Sequence, residues 1–251
     1  MADLVYMTKA TWTAITDAFR NKLGSTELIK AGDIPSALNS FQKYVDLLSG
    51  DITSVSDENA TSVRDSCFSY CKKIQEVYLP NVTSIGTSSF RGCEMLSKIN
   101  IQNVETLGNY ALYGSNITEL YLPKAITINT SACSYISQLK KVTLGNVKTI
   151  DKGAFSRDIN CEEIDISLNE NVNSIGENAF SNNGKLSKLT IRGTALIELK
   201  STNAFAGTAI AYRTGKIYVD PSMVETYKTA TNWSNYSYAI EAISWHIYME
   251  V

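Results

Sequence analysis

Between Val63 and Val219 the chain repeats one pattern: a short strand with two apolar positions flanking an outward one, a turn ending in Ile or Leu, then a small residue followed by an aromatic. The unit is plainest in Ile85-Gly86-Thr87-Ser88-Ser89-Phe90, continuing through Leu96 to Ile99-Asn100-Ile101. Equivalent anchors are Phe68, Phe90, Leu112, Cys133, Phe155, Phe180 and Phe205, so the steps are 22, 22, 21, 22, 25 and 25 residues. Self-similarity at this period predicts an α+β solenoid of about seven coils. Surplus residues fall mostly after a strand, as at Ser167 to Asn171, where one edge of a stacked coil is free to bulge. The 21-residue step instead lacks one residue between Leu112 and Leu120, compared with Phe90 to Ile99.

Each coil supplies an inward pair: Val77/Leu79, Ile99/Ile101, Leu120/Leu122, Val142/Leu144, Ile164/Ile166, Leu189/Ile191 and Ile217/Val219. Strand alternation then puts Tyr78, Asn100, Tyr121, Thr143, Asp165, Thr190 and Tyr218 on the outer face, the candidate ligand-binding row. Strands about 4.8 Å apart would make a stack about 30 Å long. Just before each pair stand Glu76, Lys98, Glu119, Lys141, Glu163, Lys188 and Lys216, a ladder alternating in sign for six rungs. Unlike charges on neighbouring strands help fix register.

The ends depart from the repeat. Trp12, Ile15, Phe19 and Leu23 have helical spacing ended by Gly24, and a second helix starts at Asp33-Ile34-Pro35 with Leu38, Phe41, Tyr44, Val45 and Leu48 as its stripe. Residues 1–50 therefore read as a helical hairpin that attaches or caps, with Ser49 to Ala60 as the link into the solenoid at 51–220. Residues 221–251 read as the C-terminal cap, with a helix over Ser222 to Thr229 and strand residues Ile240, Ile243, Trp245, Ile247 and Met249.

Composition narrows the function. With 251 residues, 44% of them apolar, the chain can bury a continuous core unaided. A net charge of −2 with scattered Lys and Arg argues against nucleic acid, and the absence of an 18-residue apolar run argues against membrane insertion. The start at Met1-Ala2-Asp3-Leu4-Val5 lacks a leader's basic region and apolar run, so the expectation is a chain made and left in a cytoplasm unless something else exports it. Cys67, Cys71, Cys93, Cys133 and Cys161 occupy repeat positions and are expected to pack as small apolar groups, with a Cys71–Cys93 bridge or a metal as the alternative. Searches for catalytic spacing find none, and the single histidine, His246, has no partner, so no catalytic, cofactor or metal residues are assigned. Glu162, Glu163 and Asp165 read as a solvated carboxylate face.

The units Ile74-Gln75-Glu76-Val77-Tyr78-Leu79-Pro80 through Ile85-Gly86, Phe90 and Cys93, and again Val172 to Phe180, resemble the BspA-like (Treponema-type) leucine-rich repeat. Leu112, Cys133 and Asn129 depart from its usual Phe and Gly. The resemblance implies a recognition or adhesion protein rather than an enzyme. The segment from Ala14 to Leu38 is similar to a module at the front of phage and prophage tail-associated proteins. Together these imply a tail-associated host-binding protein, located in a virion, that contacts tail or baseplate proteins through residues 1–50 and a host surface protein or glycan through the solenoid. A cell-surface adhesin and a purely architectural virion protein are the alternatives, and a homo-oligomer is open.

Overall fold

The computed structural model describes residues 52–145, 147–167 and 173–244. The expected helical hairpin, the bulge at 168–172, and Trp245, His246, Ile247 and Met249 lie outside the described residues. Among them, two parallel ladders run through successive coils. One is formed by β1 (Ser54–Ser56), β3 (Glu76–Tyr78), β5 (Lys98–Asn100), β7 (Glu119–Leu122), β9 (Lys141–Leu144), β11 (Glu163–Ser167), β13 (Lys188–Arg192), β15 (Lys216–Val219) and β16 (Ile240–Ala242). The other is a seven-stranded sheet of short strands: β2 (Ser62–Val63), β4 (Ser84–Ile85), β6 (Thr106–Leu107), β8 (Thr127–Ile128), β10 (Thr149–Ile150), β12 (Asn173–Ile175) and β14 (Ile197–Leu199). Every pairing is parallel, and equivalent residues face one another, as in Leu120↔Val142 and Ile164↔Leu189.

A third set of coil-to-coil bonds joins the turns that carry the anchors. The N–H groups of Phe68, Phe90, Leu112, Cys133, Phe155 and Phe180 donate to the carbonyls of Ser89, Ala111, Ala132, Ala154, Ala179 and Ala204, at 2.7–2.9 Å. Intervening amides close tight turns within their own coil, as Ser89 N–H to Gly86 O and Cys93 N–H to Phe90 O. Alternate amides can point along the stack only if the backbone reverses hand on each side of the anchor. Two columns of left-handed residues do this: Ser66, Ser88, Tyr110, Ser131, Gly153 and Asn178 two before the anchor, and Tyr70, Gly92, Gly114, Tyr135, Arg157, Asn182 and Gly207 two after it, with φ from 52° to 74°. Glycine adopts this region freely, whereas a side chain there costs about 1–2 kcal/mol.

Anchors and inward pairs form one apolar core. Phe68 stacks on Phe90 at 5.1 Å, and Phe155, Phe180 and Phe205 stack at 5.9 and 5.4 Å. Leu112 and Cys133 interrupt this column and are themselves fully buried. The column ends on Trp233 and Tyr236, which pack on Phe205.

The C-terminal segment covers the last coil, but only part of it is α-helix. A 3-10 turn at Pro221–Met223, with the Asp220 side chain accepting from Ser222 N–H, leads into α1 (Val224–Thr229). Side chains of this segment satisfy the open edge of β14. Ile197 N–H donates to Tyr227 Oη (3.0 Å), Trp233 Nε1 donates to Ile197 O (2.7 Å) and Asn232 Nδ2 donates to Leu199 O (2.6 Å). An exposed parallel edge would otherwise offer a template for aggregation. Beside it, β16 pairs with β15 and ends the ladder of longer strands.

Two expectations change. The supposed link contains β1, which pairs with β3 and accepts Gln75 N–H at Thr53 O, because the first full coil needs its edge covered. The longer-strand sheet is also broken, its members dividing into β1-β3-β5 and β7 to β16. The break falls where the chain has one residue fewer before Leu120, and there Asn116 N–H bonds to Leu96 O (2.9 Å). The short-strand sheet passes this point unbroken.

Phe180 lies between two stacked rings and is fully buried, so Phe180→Ala should lower unfolding stability by about 3–5 kcal/mol in a denaturant titration.

Candidate binding surfaces

The strand ladder brings the predicted row together in two pieces. Tyr78 lies beside Asn100, and Tyr121, Thr143, Asp165, Thr190 and Tyr218 follow one another in register, with Glu241 after Tyr218. The sheet break separates Asn100 from Tyr121. Tyr78 and Tyr121 are 43% and 59% exposed, while Asn100, Thr143 and Tyr218 are half-buried. Thr190, expected on the outer face, is fully buried. Its neighbour Asp165 accepts from Arg192 Nε and NH2 at 2.8–3.0 Å, and Tyr218 lies on the other flank, so an ion pair and a ring enclose the threonine. Asp165 is therefore engaged by a guanidinium rather than solvated, which corrects the carboxylate-face reading. The open part of the row is its first half.

The charge ladder is likewise real but interrupted. Lys98 meets Glu76 at 2.6 Å, Glu163 meets Lys188 at 2.9 Å and Lys141 at 3.8 Å, and Lys216 pairs with Glu241 of β16. Hydrogen bonds to Glu76 and Glu241 raise the Lys98 and Lys216 pKa values. Lys98 and Glu119 stand on opposite sides of the sheet break and do not pair in register.

A second surface lies on the anchor turns and was not anticipated. Tyr70 and Tyr135, both left-handed, are 57% and 43% exposed. Arg91 lies 5.8, 5.3 and 5.4 Å from the ring centres of Tyr70, Tyr110 and Tyr113. Tyr113 and Tyr135 approach to 4.9 Å, and Arg157 lies 5.1 Å from the Tyr135 ring. The Tyr70 ring occupies the space that a Cβ on Gly92 would fill, at 2.7 Å. The column two residues after the anchor, Tyr70, Gly92, Gly114, Tyr135 and Arg157, carried a sequence signal for half of this strip; Arg91, Tyr110 and Tyr113 stand at other offsets.

Ionisable groups inside the coils are structural. All five cysteines are free, and four are buried. Cys67 is exposed, because its turn lies at the start of the column, and so departs from the packed role expected of it. Burial pushes the Cys93 thiol up to about 12 and those of Cys133 and Cys161 higher than normal. Among the described residues, no three His, Cys, Asp or Glu side chains could hold a metal ion, and no helix is long and apolar enough to cross a membrane.

Asp158 is the one buried carboxylate in this set, and its neighbour one coil on explains its state. Asn183 Oδ1 accepts Asp158 N–H (2.7 Å) while its Nδ2 donates to Phe155 O (2.7 Å). Asp158 repeats the first bond, with Oδ1 accepting Ile136 N–H (2.7 Å), but Oδ2 stands buried with no partner. Burial holds its carboxyl well above the usual carboxylate range.

These parallel ladders of short strands, turns and repeated anchors define a leucine-rich repeat protein. The BspA type leucine rich repeat region model matches six copies over residues 61–187 and 108–218, more than half of the chain, and the chain belongs to this family. It is in general a non-enzymatic binding-repeat family. A leucine-rich repeat protein from Bacteroides ovatus is similar at 16% identity and a TM-score of 0.38, covering 67% of this chain and 55% of that one. The chain thus spans about half the length of that relative. The pneumococcal vaccine antigen PcpA matches at 13% identity and a TM-score of 0.27, covering 76% and 79% of the two chains. No curated protein matches the sequence significantly.

The pKa direction of Asp158 gives a pH-dependent prediction. Above 3.8 the unfolded chain ionises while folded Asp158 keeps its proton, so this group lowers stability as pH rises towards its folded pKa. Asp158→Asn, able to repeat the Asn183 bonds, should be more stable at neutral pH by about 1–3 kcal/mol, and thermal melts should show the advantage shrinking as pH falls towards 3.8.

Proposed function

We propose that this is a non-enzymatic recognition protein that presents the repeat's outward strand residues to a host surface protein or glycan. The observation that carries this reading is the exposure of Tyr78 and Tyr121 beside Asn100 and Thr143, on strands whose backbone is fixed by ladder bonds. Tyrosine supplies large contact area with only two side-chain torsions to order, so a rigid row of tyrosines binds with little entropy loss. Membership of a binding-repeat family supports the same reading.

The more specific form assigns about seven coils, an attachment module at residues 1–50 and a place in a phage or prophage tail. It rests on the repeat spacing and on the similarity of Ala14 to Leu38 to tail-associated proteins. In this form the chain is a virion component bound to tail or baseplate proteins. The adhesin reading keeps the same binding face and places it on a bacterial cell surface.

Binding to immobilised host-surface proteins and glycans tests the face. Tyr121→Ala should weaken binding by about 2 kcal/mol, the size of an interface hot spot, and leave the melting temperature almost unchanged because the ring points outward. A large stability loss with binding retained would remove Tyr121 from the site. The attachment form predicts that deleting residues 1–50 abolishes incorporation into purified virions while the remaining chain melts as before; incorporation unaffected by the deletion would reject it.

A further inference from the structure

We propose that the anchor-turn strip formed by Tyr70, Arg91, Tyr110, Tyr113, Tyr135 and Arg157 is a second binding site, which takes an acidic polysaccharide lying along the stack. The proposal rests on the recognition reading and names a ligand class for a different face. Its first support is charge. Neither Arg91 nor Arg157 makes an ion pair or side-chain hydrogen bond among the described residues, whereas Arg192 is held by Asp165. The turn-side carboxylates of Glu94 and Glu177 are engaged by Lys72 (2.7 Å) and Lys152 (2.9 Å). Both guanidiniums are instead oriented by tyrosine rings, which leaves their planar N–H groups to donate in pairs to a carboxylate or sulfate.

The second support is exposed aromatic surface. Tyr70, Tyr110 and Tyr135 stand at left-handed positions that Gly92, Gly114 and Gly153 fill in other coils. The turns impose this conformation on whichever residue stands there, and Tyr70 and Tyr135 leave much of their rings in solvent. Exposed ring faces stack against the C–H face of a pyranose, while the arginines meet its acidic substituents. From Arg91 to Arg157 is three coils, about 14 Å at strand spacing, so the ligand is an extended chain rather than a single sugar. An added peptide strand would need free backbone groups, yet the amides of Tyr70, Gly92, Gly114, Tyr135 and Arg157 are already bonded to the next coil. Single-stranded nucleic acid also stacks on aromatics, but a chain of net charge −2 offering two cations here lacks the phosphate-neutralising surface that such binding requires.

Calorimetry of the full chain with oligogalacturonate, a pyranose polymer bearing a carboxylate on each unit, tests this. Maltoheptaose, poly-glutamate and oligo-dT serve as comparison ligands. Oligogalacturonate should bind in a salt-sensitive manner and more tightly than the other three. Arg91→Gln with Arg157→Gln should weaken it at least tenfold. Tyr70→Gly with Tyr135→Gly should do the same, removing the rings where glycine suits the backbone, so melting should confirm that the fold persists. Tyr121→Ala should leave oligogalacturonate binding unchanged. No binding, or equal binding by both double variants, overturns the proposal. Tighter binding of poly-glutamate or oligo-dT at the strip overturns the polysaccharide assignment. Host-surface binding that depends on Tyr121 but not on the strip would leave the recognition reading standing and reject this site alone.

Discussion

The hydrogen bond that each anchor's N–H donates along the stack, to the carbonyl preceding the next anchor, governs the rest of the architecture. It requires the chain to turn in the left-handed sense two residues to each side of the anchor. That requirement fixes where glycine, asparagine and serine recur, and brings the anchor side chains into one column. With the turns joined this way, the two strand ladders need only two to five residues per coil to hold register. Each coil has its backbone satisfied by its neighbours, so the first and last coils are the vulnerable places, and β1 and the aromatic C-terminal segment cover them.

Departures from the repeat are absorbed where the ladders allow it. Leu112 and Cys133 replace aromatic anchors without opening the core, since both remain fully buried. The coil with one residue fewer before Leu120 is also where one sheet ends at β5 and another starts at β7, while the short-strand sheet continues. Buried polar positions follow the same logic. Asn183 both accepts and donates across the coils, whereas Asp158 repeats only the accepting bond, and burial keeps its carboxyl protonated.

Rigid backbone on two sides gives two kinds of surface. The strand face offers Tyr78 and Tyr121 as separate, exposed rings, and closes towards β13, where Arg192 and Tyr218 flank Thr190. The anchor turns gather tyrosine and arginine from neighbouring coils into one strip. Contact area on an immobile scaffold suits recognition, as expected of a BspA-type repeat chain.

The sequence by itself determined the repeat, its anchors, the inward pairs and the covering role of the last segment, because stacking imposes the same local demands on every coil. Apolar periodicity records those demands directly. Tertiary structure decided what period two cannot: that Thr190 is buried, that Asp165 is paired, that Cys67 is exposed and that the strand sheet breaks after β5. Exposure of an outward residue depends on how far its neighbours' side chains reach across adjacent coils, and Arg192 spans to the previous strand. The tyrosine and arginine strip needed the same knowledge. Its members sit at three different offsets from the anchor, and only the left-handed turns show that these converge on one face.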